Sequence, residues 1–276
     1  MTAPRAFPLA IIPAADAARL ARAAGIDVPE LMTRLLPEAA QLARPPISNF
    51  RVGVVSRGLS GNLYFGTNVE FAGEALSFTV HAEQSSITNA WMHGEEGIDL
   101  LAVTAAPCGY CRQFLNELVT APGLVIRTPA GTHSLQELLP DAFGPRDLGI
   151  DGGLMQREQH AIETGDGGVT DDLAAQALKA ARMSYAPYSK AYAGVALRTA
   201  GGVVVTGAYA ENAAFNPSMS PLEVALSRLN LQGVAFEEIA DAVLVQVGGL
   251  HTNATATVLA AVCDAPLRVV QARNSA

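Results

Sequence analysis

Cysteine is scarce in this sequence. Only three occur in 276 residues, too few and odd in number for a disulfide framework, and that usage fits a reducing, cytoplasmic compartment. Charge is sparse as well: 16% of residues are Asp, Glu, Lys or Arg, with 18 basic against 26 acidic and a formal net charge of -8. No basic patch interrupts this acidic balance, which argues against a nucleic-acid partner. No stretch approaches the ~20 continuous apolar residues of a membrane span, so no membrane role is expected either. The apolar run Ala6–Ala15 behind Arg5 superficially resembles a secretory leader. Pro8 and Pro13 break it, a single arginine is a meagre basic region, and the following residues read as a helix, so it is taken as part of the fold.

What the chain does have is apolar mass. Half of its residues are hydrophobic although only 6% are aromatic, and its length suits one large domain or two ordinary ones, each with a real core. Residues 1–47 read as a small helical unit: Asp16–Ala24 closes at Gly25, and Glu30–Ala43, with Leu31, Leu35, Leu36 and Leu42, stops before Pro45-Pro46. Strands are then expected at Phe50–Ser56 and Asn62–Gly66 around a Gly58–Gly61 turn, followed by a helix over Val80–His93, a strand over Asp99–Ala105 and a helix opening at Cys108. Alternating strands and helices point to a layered α/β domain over 48–145. Periodicity fades in the Gly-, Asp- and Pro-rich stretch Asp141–Gly168, which places a linker at 146–169 and a second domain at 170–276.

Past that linker the sequence repeats itself. Pro46-Ile47-Ser48 returns as Pro187-Tyr188-Ser189, Val52-Gly53-Val54 as Ala193-Gly194-Val195, and Gly61, Gly66 and Glu70 as Gly202, Gly207 and Glu211, each pair 141 residues apart. A constant offset over a strand–turn–strand segment is the mark of a duplicated domain. With one residue deleted, an offset of 140 pairs His81 with Pro221, Glu83 with Glu223, Cys108 with Gly248 and Cys111 with His251.

Chemistry concentrates in the first copy, at His81-Ala82-Glu83 and Pro107-Cys108-Gly109-Tyr110-Cys111. One imidazole and two thiolates suit zinc. A Cys-x-x-Cys that opens a helix lies beside unpaired amides and the positive helix end, which favours the thiolate. His93 lies roughly 18 Å along the same helix from His81 and cannot share a metal with it. His133, His160 and Cys263 have no motif around them. Three ligands and an open fourth position describe a catalytic zinc, and Glu83 stands two residues from His81 as the proton carrier.

His81-x-Glu83 with Pro107-Cys108-x-x-Cys111 matches the signature of zinc-dependent nucleobase deaminases. Together with Phe65–Phe71, His81–Ser85, Cys108–Phe114 and Asp141–Pro145, it resembles the cytidine deaminases of the dimeric, two-domain bacterial kind. The resemblance implies a three-layer α-β-α fold, duplicated, behind a helical N-terminal unit. It implies one zinc per chain on His81, Cys108 and Cys111. The implied reaction is hydrolytic deamination of cytidine and 2′-deoxycytidine to uridine and 2′-deoxyuridine with release of ammonia, a step of pyrimidine salvage, by zinc-bound hydroxide with Glu83 as proton shuttle. It also implies that the Ala82 amide meets the pyrimidine O2, that the Ala106 carbonyl faces the amino group, and that Asn68, Val69 and Glu70 bind the sugar. Phe50 and Phe143 would stack on the base, Phe143 from the other subunit of a homodimer. The second copy lacks the ligand set and is expected to be inactive. Competing expectations are a deaminase of nucleotides or of bases in nucleic acid, opposed by the acidic composition, and an assembly protein whose zinc only supports folding.

Overall fold

The computed structural model describes residues 10–165, 169 and 171–275. Arg5 and Pro8 of the leader-like run, and Asp166–Gly168 of the expected linker, lie outside them. The first strand among the described residues is β1 (Ile11–Ile12); helices α1 (Ala14–Ala23) and α2 (Val28–Gln41) follow. The Asp27 side chain caps α2 by accepting the Glu30 amide at 2.8 Å, and Leu31, Met32, Leu36 and Ala39 are buried along one face.

The first half continues with β2 (Gly53–Gly58), β3 (Leu63–Thr67), α3 (Ala82–Met92), β4 (Ile98–Val103), α4 (Gly109–Leu115), β5 (Val125–Thr128), β6 (Gly131–Ser134) and α5 (Leu135–Leu138). Its six-stranded sheet has the order β1-β3-β2-β4-β5-β6, with β4 and β5 parallel and the other neighbours antiparallel. Ile12, fully buried, makes the N-terminal unit part of this sheet.

The second half contains β7 (Ile162–Thr164), α6 (Asp172–Met183), β8 (Ala193–Thr199), β9 (Val204–Ala208), α7 (Pro221–Leu231), β10 (Ile239–Val247), α8 (Thr252–Ala260) and β11 (Leu267–Asn274), in a sheet of order β7-β11-β10-β8-β9. The offset of 141 appears as register. Gly53 faces Thr67 and Gly194 faces Ala208; Val54 faces Val103 and Val195 faces Leu244. One edge breaks the symmetry. In the first half β6 folds back onto β5 directly, whereas the corresponding edge next to β11 is supplied by β7, from the segment expected to be linker. Leu154 and Ile162 are fully buried there, so this segment is packed structure.

The halves share one core through α3 and α7. Every residue from Ala82 to Trp91 is buried, polar ones included. Their polar atoms have partners: Ser86 meets Ser56 at 2.6 Å, Thr88 donates to the Gln84 carbonyl at 2.8 Å, Asn89 donates to the Phe65 carbonyl at 3.2 Å, and Ser227 of α7 donates to Ser85 at 2.8 Å.

Glycine sets how closely each helix lies on its sheet. A Cβ on Gly66 would come within 2.3 Å of the Ala82 carbonyl and the Ser86 amide; one on Gly207 would come within 2.1 Å of the Pro221 carbonyl and 2.6 Å of the Ala225 amide. Backbone cannot yield as a side chain does. Gly66→Ala and Gly207→Ala are each expected to lower the unfolding free energy by about 1–3 kcal/mol. Gly123→Ala, which meets nothing within 4 Å, should stay within about 0.5 kcal/mol of the parent when all three variants are unfolded in urea.

Candidate metal centre and nucleoside cleft

Two helix starts meet at the end of the first sheet. His81 is the N-cap of α3, Cys108 is the N-cap of α4, and Cys111 stands in the first turn of α4. The His81 Nδ1 atom is 3.6 Å from the Cys108 sulfur and 3.3 Å from that of Cys111, and the two sulfurs are 3.6 Å apart. Tetrahedral zinc, with Zn–S near 2.3 Å and Zn–N near 2.0–2.1 Å, separates such atoms by about 3.5–3.8 Å. The cluster therefore fits zinc in both donor type and spacing. One of the two thiols is already disposed to ligate: hydrogen bonding from Cys111, aided by His81, draws the Cys108 thiol down to about 3. Cys111, which keeps the shared proton, is pushed well up by that bond and by burial, and His81 is raised by Cys108. Metal binding at this cluster therefore has to displace the protons that Cys111 and His81 hold.

Glu83 lies one turn-position inside α3, 4% exposed. Burial pushes its carboxyl above the ordinary range, against the pull of its own amide and the Cys111 side chain.

A cleft of about 280 Å³ opens over the cluster, lined by Phe50, Asn68, Glu70, Ala82, Glu83, Ala106, Cys108 and Cys111 with Ser48, Val52, Thr79 and Ala105. This is close to the lower end of small-molecule sites. Nine of the eleven expected site residues, counting His81 and the cysteines, line this cleft; Val69 and Phe143 do not. Phe50, 61% exposed, overhangs the mouth. Asn68 accepts the Val52 amide and donates to the Phe50 carbonyl, both at 2.9 Å. Glu70 accepts the amides of Ile47 and Ser48 at 2.8 and 2.9 Å and the Ser48 hydroxyl at 2.5 Å. These bonds hold the Glu70 carboxyl below its usual range despite partial burial. Val69 is buried in the core, its backbone paired with Val80, and does not line the cleft. Phe143, 47% exposed, is also outside the lining; its carbonyl accepts from Gln113 and Asn116 at 2.8 and 3.1 Å.

Three contributors were not anticipated. Ser48 ties Glu70, as Ser189 ties Glu211 in the second half; the recurrence of Pro46-Ile47-Ser48 as Pro187-Tyr188-Ser189 was the available signal. Tyr110 stacks on the His81 ring at 5.1 Å, and Gln84 accepts the His81 amide at 3.1 Å.

The structure corrects the pairing of the copies. Helix starts align His81 with Ser220, Glu83 with Leu222 and Gln84 with Glu223, an offset of 139, because the loop before α7 is two residues shorter than that before α3. At the next helix start Cys108 aligns with His251 and Cys111 with Ala254. Glu223 is therefore no counterpart of Glu83; it closes a capping box, accepting the Ser220 amide at 2.8 Å. Among the described residues, His81, Cys108 and Cys111 form the one cluster of this kind.

Three protein ligands, a buried carboxylate and an open cleft at the fourth position define a zinc-dependent hydrolase. The chain belongs to the cytidine and deoxycytidylate deaminase family: that family's zinc-binding region matches residues 27–126 and again 135–258. It is similar to the cytidine deaminase of Vibrio atlanticus, 51% identical over 83% of this chain and 77% of the relative. It is also similar to that of Photobacterium profundum, 49% identical over 88% and 83%. A crystal structure of cytidine deaminase from Burkholderia pseudomallei, 31% identical, matches 41% of this chain and 98% of its own with a TM-score of 0.38. The chain is thus a zinc-dependent enzyme that deaminates cytidine, built from two deaminase domains. No helix among the described residues is long and apolar enough to cross a membrane.

Burial raises the Glu223 carboxyl from an ordinary 4.5 to about 7. It also faces the phenols of Tyr110 and Tyr209. A raised folded-state value means that stability from this group is complete below pH 4.5 and is lost as pH rises through about 7. The loss is at most about 3 kcal/mol. Glu223→Gln keeps the cap acceptor and removes the charge, so its thermal midpoint should exceed the parent's at pH 8 and match it at pH 4.5.

Proposed function

We propose that the enzyme hydrolyses free cytidine and 2′-deoxycytidine to uridine and 2′-deoxyuridine with release of ammonia, in pyrimidine salvage. The observation that carries this is the meeting of the His81, Cys108 and Cys111 ligand atoms with buried Glu83 on the floor of a cleft walled by Asn68 and Glu70. Residues 48–145 are the catalytic domain and 170–276 the inactive copy, joined by 146–169, which adds β7 to the second sheet.

His81, Cys108 and Cys111 would hold the zinc, which when bound supplies water acidified to a pKa near 7. Glu83 accepts a proton from the attacking water and passes it to N3, then takes the proton of the new C4 hydroxyl and delivers it to the departing amino group; a carboxyl raised by burial suits both roles. The Ala82 amide, at the start of α3, donates to the pyrimidine O2, and the Ala106 carbonyl accepts from the amino group. Asn68 and Glu70 retain hydrogen-bonding capacity beyond their internal partners and meet the sugar hydroxyls, with Val69 holding their segment in place. Phe50 covers the base. Phe143 points to a homodimer: it stands exposed outside its own chain's cleft, as an aromatic that serves the partner's site would. The three unpaired cysteines support a reducing, cytoplasmic setting.

Purified protein should form uridine from cytidine with about one zinc per chain. Glu83→Gln should retain that zinc and lose about 10²–10⁴-fold in turnover, because a carboxamide cannot relay protons. Turnover at the parent rate would remove Glu83 from the mechanism. Initial rates on cytidine, its 5′-monophosphate and a cytosine oligonucleotide check the substrate: faster reaction of either phosphorylated form refutes the nucleoside assignment.

A further inference from the structure

The inactive half reaches the residues around the metal ligands through one loop. Residues 211–219 occupy in the second half the place that the 70–80 segment occupies in the first, between the second strand of the hairpin and the next helix. The loop is a chain of tight turns: the Phe215 amide donates to the Asn212 carbonyl at 2.8 Å, the Asn216 amide to that of Ala214 at 2.8 Å, and the Ser218 amide to that of Phe215 at 2.9 Å. Phe215 adopts a left-handed φ of 61°. This folding leaves two successive carbonyls, Asn216 and Pro217, directed at the first half.

Each takes a hydrogen bond from a residue that holds His81. Tyr110, whose ring stacks on the imidazole, donates its hydroxyl to the Asn216 carbonyl at 2.9 Å. Gln84, whose side-chain oxygen accepts the His81 amide, donates its side-chain N–H to the Pro217 carbonyl at 3.3 Å. Ring plane and backbone of the one imidazole ligand are therefore both fixed against the second half. The loop is in turn bolted to α4, which starts at Cys108 and bears Cys111, and to Glu117 just past its end. Asn212 donates to the Gln113 carbonyl at 3.0 Å, and the Ala213 amide donates to Glu117 at 2.8 Å. Glu117 is fully buried and also accepts the hydroxyls of Tyr185 and Tyr188 at 2.8 and 2.6 Å.

We infer that the 211–219 loop of the inactive domain is a positioning device for the metal centre, acting through Tyr110 and Gln84 on His81 and through Asn212 and Glu117 on α4. Groups behind the ligands orient them, and losing one commonly weakens metal binding about 10–100-fold. The direction of the contacts distinguishes this from a generic domain interface. At the position of Gln84, Glu223 spends its carboxylate on its own helix cap.

The inference rests on His81, Cys108 and Cys111 being the ligands, and the experiment separates the two. Zinc transfer from the holoenzyme to a chromogenic chelator is followed for the parent, Cys111→Ala, Tyr110→Phe and Asn212→Ala, together with the visible spectrum of each cobalt-substituted protein and the thermal midpoint of each apo form. Tyr110→Phe keeps the stacked ring and loses the hydroxyl's bonds to Asn216 and Gln84; Asn212→Ala alters a residue of the inactive half alone. Both are expected to bind zinc about 10–100-fold more weakly than the parent, to shift the cobalt bands, and to do so beyond any change in apo midpoint. Parent-like zinc transfer and cobalt spectra in both variants overturn the proposal, as does weakening that merely follows the apo midpoint. Zinc retained at parental affinity in Cys111→Ala overturns the ligand assignment instead.

Discussion

Three ligand atoms have to stand about 3.3–3.6 Å from one another, and they come from the first turns of two different helices. No single element can satisfy that condition. It requires α3 and α4 to begin at fixed points above the sheet, and the rest of the first half can be understood as what fixes them. Gly66 lets α3 lie directly on β3, where any side chain would strike the Ala82 carbonyl. Arg112 holds α4 from its outer side, donating to the Pro107 carbonyl at 2.8 Å and the Leu138 carbonyl at 2.7 Å. Because both ligating segments are helix N-termini, unpaired amides and the helix dipoles favour negative charge there, so the fold that positions the sulfurs also favours the Cys108 thiolate.

Duplication gives this arrangement a second wall. α3 is buried all round because α7 covers the face that would otherwise meet solvent, and this is why polar side chains can sit along it with every partner supplied from within. The second copy has kept the architecture and changed the chemistry. Ser220, Leu222, His251 and Ala254 stand at the ligand and carboxylate positions. The tie between Glu211 and the Tyr188 and Ser189 amides survives at 2.8 and 3.2 Å, as the counterpart of the Glu70 tie. That survival shows what the carboxylate does without any substrate: it holds the loop that forms the cleft's rim.

Most of the active half could be read from the sequence because its residues are chemically distinctive and their spacing is short. A Cys-x-x-Cys at a helix start and a His-x-Glu across one strand leave few other interpretations. Element limits were less legible; Phe50–Ser56 became Gly53–Gly58 because strand ends are set by neighbouring strands. The second copy was misaligned for a related reason. Its loop lost two residues where no repeated side chain marks the register, although Ser220-x-x-Glu223, a capping box, was there to place the helix start. β7 was invisible in a Gly- and Asp-rich stretch, since three residues carry no periodicity and its strand character comes from β11.

Tyr110 and Gln84 end on the carbonyls of Asn216 and Pro217, and a carbonyl belongs to every residue alike. Such a contact constrains the path of the chain while leaving its spelling free. A domain that meets its neighbour through main-chain acceptors can therefore drift in sequence a long way and keep those contacts. Its importance would be recorded in the preserved length and turn geometry of one loop, where a comparison of side chains would find little to count.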